Sequence, residues 1–168
     1  TRDPTLFPYT TLFRSLPAHL PADDGAVAVA HGDYRIDNLV FAPGAEPRIA
    51  AILDWELSTL GHPHADLSYF CMALRLPRNP IIPGLMGVDR ASAGIPSESA
   101  IVDAYVAAGG RAPSGEWEAL LAFNFFRLAA IAQGVRKRAQ QGNASSEQAT
   151  AVGAMVGQVA ALGAALLR

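Results

Sequence analysis

A single cysteine among 168 residues excludes an intrachain disulfide framework. Cys71 lies in the apolar run Leu67-Ser68-Tyr69-Phe70-Cys71-Met72-Ala73-Leu74 and reads as a core thiol, since no neighbouring motif supplies a base. That usage points to a reducing compartment, and a cytoplasmic location is expected. Lysine is as scarce: Lys137 stands alone, inside the one basic run, Arg136-Lys137-Arg138. The run falls near the end of a predicted helix, where cations complement the helix dipole. With a net charge of −2 the chain carries no electrostatic footprint for nucleic acid. The apolar stretch from Ala151 to Leu167 is interrupted by Gln158 and three glycines, short of the roughly 20 residues a bilayer span needs. A packed terminal helix is expected there, with no membrane partner. No secretory h-region and no internal repeat is found. The length suits one domain, which can bury about 70% of its unfolded surface.

What is present is concentrated in His31-Gly32-Asp33-Tyr34-Arg35-Ile36-Asp37-Asn38 and the later Asp54-Trp55-Glu56. Phosphoryl transfer asks little covalent chemistry of a protein. It needs a carboxylate to accept the proton of the attacking hydroxyl and oxygen ligands to hold magnesium on the phosphates. Magnesium takes hard oxygen donors and keeps several waters, so two protein ligands suffice. Asp33 suits the base, and Asn38 and Asp54 suit the metal ligands. Local structure is consistent with that arrangement. Val27-Ala28-Val29-Ala30 reads as a short buried strand and residues 31–37 as a loop. Leu39–Phe41 and Arg48–Leu53 read as a hairpin around Ala42-Pro43-Gly44-Ala45-Glu46-Pro47. A hairpin returns the chain to the end it left, which brings Asp54 beside Asn38.

The pattern H-G-D-x-x-x-x-N, then D-W-E, then Gly61-His62-Pro63-His64-Ala65-Asp66-Leu67, resembles the aminoglycoside phosphotransferase-like family. It is most similar to the branch also found fused to acyl-CoA dehydrogenases. The resemblance runs from about Leu16 to the C-terminus and includes Phe126-Arg127-Leu128-Ala129 and Gly142-Asn143-Ala144-Ser145-Ser146. It implies a protein-kinase-like fold of class α+β, mainly α: a helical C-lobe in which a small β-hairpin carries the metal ligands. It also implies Mg2+ as cofactor, ATP (or GTP) as donor and a hydroxyl compound as acceptor, with hydroxyacyl-CoA compounds among the candidates. By position, Asp33 resembles the catalytic base, Asn38 and Asp54 the magnesium ligands, and Asp66 a buried aspartate that braces the catalytic loop. His31 is expected to support that loop from below. Arg35 suits either substrate contact or a salt bridge on the loop. Glu56 suits either a water-bridged approach to metal or a surface position. Asp37 is expected in solvent, and Tyr34 and Trp55 in packing.

A kinase-like N-lobe supplies a phosphate-covering loop, a strand lysine for the α/β-phosphates and a helix glutamate to hold it. None precedes His31, so the sequence reads as a C-lobe with the N-lobe absent, inactive as it stands and prone to self-association. Residues 1–15 show no periodicity and read as a non-native or disordered leader, with residues 16–168 as the lobe: the catalytic loop and metal hairpin over 27–56 and a helical remainder over 64–168. That remainder holds three predicted helices. One runs from Glu98 to Ala108, capped by Ser97 and ended by Gly109-Gly110. One runs from about Gly115 to Gln141. The last opens at a Ser145-x-x-Gln148 capping box. Pro77 to Pro96 reads as an irregular connection where an acceptor would be recognised. Two further readings stay open. His62 and His64 could join Asp33, Asp54 and Asp66 in the metal site of a hydrolase, or the lobe could be a non-catalytic binding or interaction domain.

Overall fold

The computed structural model describes residues 7–20, 22–79, 82–115, 117–141 and 147–168. Six helices and two two-stranded sheets follow in the order α1 (Phe7–His19), β1 (Ala28–Ala30), β2 (Leu39–Phe41), β3 (Ile49–Ile52), β4 (Thr59–Gly61), α2 (Ala65–Arg75), α3 (Glu98–Ala107), α4 (Trp117–Gln140), α5 (Glu147–Ala154) and α6 (Val156–Ala165). The architecture is mixed, mainly helical with small sheets, as the sequence suggested.

Helix α4 is the centre. Leu121, Ala122, Phe125 and Ala129 recur at helical spacing and bury against α1, α2, α5 and α6. By length and composition α4 is apolar enough to cross a membrane, a property that a buried core helix shares. The core continues through Cys71, Met72 and Leu76 at the end of α2 and Met155, Val159 and Ala160 around α6. Burial pushes the Cys71 thiol up to about 12, which keeps it protonated, as befits a packing residue. At Gly163 a β-carbon would lie 2.7 Å from Leu12 and 2.8 Å from Phe125, so α6 seats on α4 and α1 through a missing side chain. Gly163→Val is therefore expected to cost about 1–3 kcal/mol by overpacking, read as a lower urea midpoint at unchanged m-value.

The N-terminal expectation needs correcting. Residues from Phe7 onward form a helix, and the expected break at residue 15 falls inside it. Tyr9, Leu12, Phe13 and Leu16 follow an i, i+3, i+4, i+7 pattern; Leu12 and Leu16 are buried, and Tyr9 stacks on Phe126 at 5.5 Å. Prolines at 8 and 17 and a boundary drawn through the stripe hide that period in the sequence. The terminal helix is also two helices, α5 and α6, which meet at Met155. Gly153, inside α5, lies so close to the Arg136 side chain of α4 that a β-carbon there would sit 2.7 Å from the Arg136 Cβ. Ser145 of the expected capping box lies outside the described residues, as does the whole Gly142–Ser146 stretch.

Helix α3 begins as the sequence predicts. The Ser97 hydroxyl accepts the Ala100 N–H at 3.1 Å, and Gly109 ends the helix at a φ of +95°. Residues 82–96 form irregular turns, as expected. A charged corner ties α2, α3 and α4. Arg75 donates to both Glu98 oxygens at 2.6 and 2.8 Å and to Glu118 at 2.8 and 3.0 Å, while the Trp117 indole donates to Glu98 at 2.9 Å. Burial disfavours the Glu98 charge, but the Arg75 guanidinium and the indole outweigh it and hold that carboxyl below its ordinary value. A folded-state pKa below the unfolded one gives stability that is present above the ordinary glutamate value and lost as pH falls through the lowered one. The melting difference between the wild type and Arg75→Met should thus be largest near neutrality and shrink below pH ~4.5.

The strand before residues 31–38 also departs from expectation. β1 pairs antiparallel with β4, with Val29 opposite Leu60, and it is half-exposed rather than buried. Alternation turns Ala28 and Ala30 inward, while Val29 is 67% exposed. β2 and β3 form the expected hairpin, Leu39 opposite Ile52, with a bulge at Val40/Phe41. These two ribbons flank the loop that carries the candidate chemistry.

Candidate active site

The loop 31–38 leaves β1 through a turn that only glycine can make. Gly32 has a φ of +84°, and a β-carbon there would lie 2.5 Å from the Leu57 carbonyl oxygen. Asp66, in the first turn of α2, accepts the His31 N–H at 2.6 Å and the Gly32 N–H at 2.9 Å. One carboxylate thereby satisfies two successive loop amides and pins the loop to a helix. His31 is 2% exposed. Its Nδ1 accepts the Asp33 N–H at 3.2 Å, which puts the ring proton on Nε2, and Nε2 donates to the Leu53 carbonyl at 2.7 Å. The imidazole therefore rivets the loop to the far end of the hairpin, one residue before Asp54. Trp55 packs on the same ring at 4.7 Å between centroids, with its indole donating to Ile52. Tyr34 packs against His31 and Phe70.

Asp33 and Asn38 meet directly. The Asn38 amide donates to the Asp33 main-chain oxygen at 2.9 Å and to its carboxylate Oδ2 at 3.2 Å. Asn38 closes a single 3-10 turn, Ile36–Asn38, and its carbonyl accepts the Leu53 N–H at 2.8 Å. That bond extends the hairpin by one rung, and Asp54 follows Leu53 in the chain. Asp54 is exposed in left-handed backbone at φ 65°, ψ 55°, the one non-glycine residue with positive φ among the described residues. Such backbone costs energy that surrounding structure must hold, and it concentrates at functional sites.

The donor set suits a hard cation. Because the Asn38 nitrogen is spent on Asp33, its oxygen is the atom left for a ligand, and Asp54 offers an exposed carboxylate. The alternative metal site does not assemble. Asp66 is occupied by loop amides, buried His64 bonds the Arg111 carbonyl at 2.7 Å through Nε2, and among the described residues no three His, Cys, Asp or Glu side chains cluster. Arg35 pairs with Asp37, so the salt-bridge reading holds in this structure, with both side chains largely exposed. Glu56 is exposed in the 3-10 turn Trp55–Leu57.

Two further contacts were not foreseen. The Tyr69 hydroxyl, from α2, donates to Asp33 Oδ1 at 2.7 Å. Arg127, from α4, donates to the Gly32 carbonyl at 2.8 Å and places its guanidinium 5.2 Å from the Tyr69 ring centroid. Burial and the adjacent Asp33 push the Tyr69 phenol up to about 12, so it remains a donor. Tyr69 sits in an apolar run, and Arg127 is flanked in α4 by the apolar Phe126 and Leu128. Their one visible signal was Arg127's place in the Phe126–Ala129 motif.

Comparison with known proteins points the same way. The profile described as Phosphotransferase enzyme family matches residues 2–123. The chain is 43% identical over 152 residues to acyl-CoA dehydrogenase family member 10 of Mus musculus, covering 90% of this chain and 14% of that protein. It is 42% identical over 134 residues to acyl-CoA dehydrogenase family member 11 of Homo sapiens, covering 79% and 17%. The crystal structure of a candidate aminoglycoside phosphotransferase from Ralstonia eutropha JMP134 superposes with a TM-score of 0.88 at 42% identity, covering 95% of this chain and 48% of that one. The chain thus spans under a fifth of these curated relatives and about half of the solved structure.

Proposed function

The chain belongs to the phosphotransferase enzyme family, and from that premise we propose that it is the catalytic C-lobe of a two-lobed kinase that moves the γ-phosphate of ATP (or GTP) to a hydroxyl group of a small molecule. One observation supports the reading: the Asn38 amide bonds Asp33, while the Asn38 carbonyl accepts the N–H of Leu53, the residue before Asp54. In this reading the base and both oxygen ligands would come from a loop and a hairpin tied together at Asn38.

In this reading Asp33 orients the acceptor hydroxyl and takes its proton as the new O–P bond forms. The carboxylate retains unshared acceptor positions beyond those facing Tyr69 and Asn38. Asn38 and Asp54 would hold Mg2+, which when bound offsets charge on the donor's phosphates. His31 and Asp66 keep the loop from relaxing, so that positioning is fixed before substrate arrives. Arg35, tied to Asp37, and Glu56, exposed two residues after Asp54, would touch substrate or water at the rim. The N-lobe would supply the lysine and the phosphate cover; Lys137 lies in the last turn of α4 and cannot stand in for them.

For the acceptor we propose a hydroxylated metabolite, with a hydroxyacyl-CoA the first to test because the relatives' names join this domain to acyl-CoA dehydrogenases. The irregular segment 77–96 is the proposed place of its recognition. A cytoplasmic setting, without nucleic-acid or membrane partners, fits the lone buried thiol and the charge balance. An acceptor screen on the two-lobed enzyme, following nucleotide consumption, tests the proposal. Transfer to at least one hydroxyl compound is expected. Tight Mg-nucleotide binding with no transfer to any of them would instead favour a non-catalytic kinase-like binding domain.

A further inference from the structure

Asp33 stands on a loop, and a loop carboxylate is useful as a base only if its two side-chain torsions are held. Each of its oxygens has one donor: Asn38 Nδ2 on Oδ2 and the Tyr69 hydroxyl on Oδ1. The first comes from the same loop and moves with it. The second comes from the middle of α2, a helix anchored in the core through Cys71 and Met72. Tyr69 is thus the donor that refers Asp33 to the rigid body of the lobe.

Tyr69 is itself held. The Arg127 guanidinium packs on its ring at 5.2 Å, and Nη2 of the same group donates to the Gly32 carbonyl, just before Asp33. Arg127 Nη1 reaches Asn124 Oδ1 at 3.3 Å, and Asn124 Nδ2 donates to the Ser68 hydroxyl at 2.9 Å. Ser68 in turn donates to the Ala65 carbonyl at 3.1 Å. Ser68 and Asn124 are buried polar groups in the middle of the α2–α4 contact, and each satisfies the other. Their chain neighbours Tyr69 and Arg127 are the pair that reaches the catalytic loop. A buried polar network of this kind fixes one helix register and so one position for the two groups at its end.

We propose that Tyr69 and Arg127 are positioning residues for the transfer reaction, a cross-helix clamp that holds Asp33 in its reactive rotamer. Tyr69 sets the carboxylate through its hydroxyl. Arg127 sets Tyr69 through the ring and sets the loop through Gly32. Neither needs to touch substrate. The inference rests on the phosphotransfer reading above, and its test separates the two.

The clean variant is Tyr69→Phe in the two-lobed enzyme, which keeps the ring, its packing and the contact with Arg127 and removes one hydroxyl. Its kcat should fall on the order of 10- to 100-fold, the usual consequence of losing a hydrogen bond to a charged group. KM for nucleotide and acceptor should stay within about two-fold, because the interaction is spent on reactive geometry rather than on binding. Arg127→Met should lower kcat similarly, while Arg127→Lys restores only part of it, since an ammonium cannot both fork to Gly32 and Asn124 and stack on the ring. A second readout needs no turnover: NMR couplings reporting the Asp33 side-chain torsion should show one rotamer in the wild type and averaging in Tyr69→Phe. Thermal midpoints taken in parallel show whether a fall in kcat follows a loss of folded protein, which would reduce Tyr69 to a packing residue and overturn the clamp. Full kcat in Tyr69→Phe, with turnover abolished in Asp33→Asn, would also overturn it and leave the phosphotransfer reading intact. Undiminished turnover in Asp33→Asn would remove that reading itself.

Discussion

Asp33→Asn in the two-lobed enzyme is expected to lower kcat by roughly 10²- to 10⁴-fold, the usual contribution of a general base, with Mg-nucleotide affinity nearly intact. The amide is close to isosteric but cannot accept the proton of the attacking hydroxyl. Its oxygen can still accept from Tyr69, which leaves its N–H groups on the side of the Asn38 amide, so the thermal midpoint should be recorded beside the kinetics. Asp54→Asn should behave differently. It keeps an oxygen but removes a formal charge from the metal's surroundings, so Mg-nucleotide binding and turnover should weaken together, and raising the magnesium concentration should recover part of the loss. The comparison of the two variants is the informative quantity. Equal effects on binding would mean that Asp33, too, serves as a ligand, and the division of roles drawn from the Asn38 contacts would be wrong.

Much of this site was legible because its residues are close in sequence and of types that have few other reasons to sit together. Eight positions hold His31, Asp33 and Asn38 near one another, and a Pro-Gly-containing turn between two short apolar strands returns the chain at Asp54. Asp66 could be placed by resemblance alone, since nothing in its own neighbourhood says which amides it will meet 35 residues back. Tyr69 and Arg127 were illegible for a related reason. A tyrosine within an apolar helical run looks like packing, and its partner is chosen by tertiary contact across 36 residues; Arg127 reaches Gly32 across 95. Helical period tells which face of α4 is buried but not what lies against it, and nothing in that period announces that Asn124 lies buried against Ser68. The left-handed backbone at Asp54 could not be read either, because nothing but tertiary structure selects that conformation for an aspartate. Short ribbons failed in their own way. β4 is three residues long, with no alternation to announce it, and β1, expected to be a buried strand, leaves Val29 exposed between two inward alanines.

The two ribbons bear on how residues 1–168 behave when assayed by themselves. Apolar side chains border the catalytic loop on both sides: Val29 and Leu60 are 67% and 73% exposed on one ribbon, Leu57 57% between the ribbons, and Phe41 and Leu53 52% and 50% along the hairpin. Large apolar side chains left this exposed mark a surface that calls for a partner, and in the proposed two-lobed kinase the other lobe would cover it. In the proposed roles Asn38 and Asp54 would still offer their oxygens to a cation without that lobe, but the adenine and the α/β-phosphates would have nothing to hold them. Phosphoryl transfer depends almost wholly on positioning and charge, so losing half of the clamp should remove turnover rather than reduce it. Residues 1–168 are therefore expected to show no measurable transfer, nucleotide affinity too weak for a calorimetric titration in the micromolar range, and concentration-dependent self-association in sedimentation. Joining an N-lobe of the proposed kinase should suppress the association and bring nucleotide binding into the measurable range. Micromolar ATP binding with turnover by residues 1–168 unaided would show that the ribbons and the loop already make a complete site, and that the exposed apolar surface serves some purpose other than seating a second lobe.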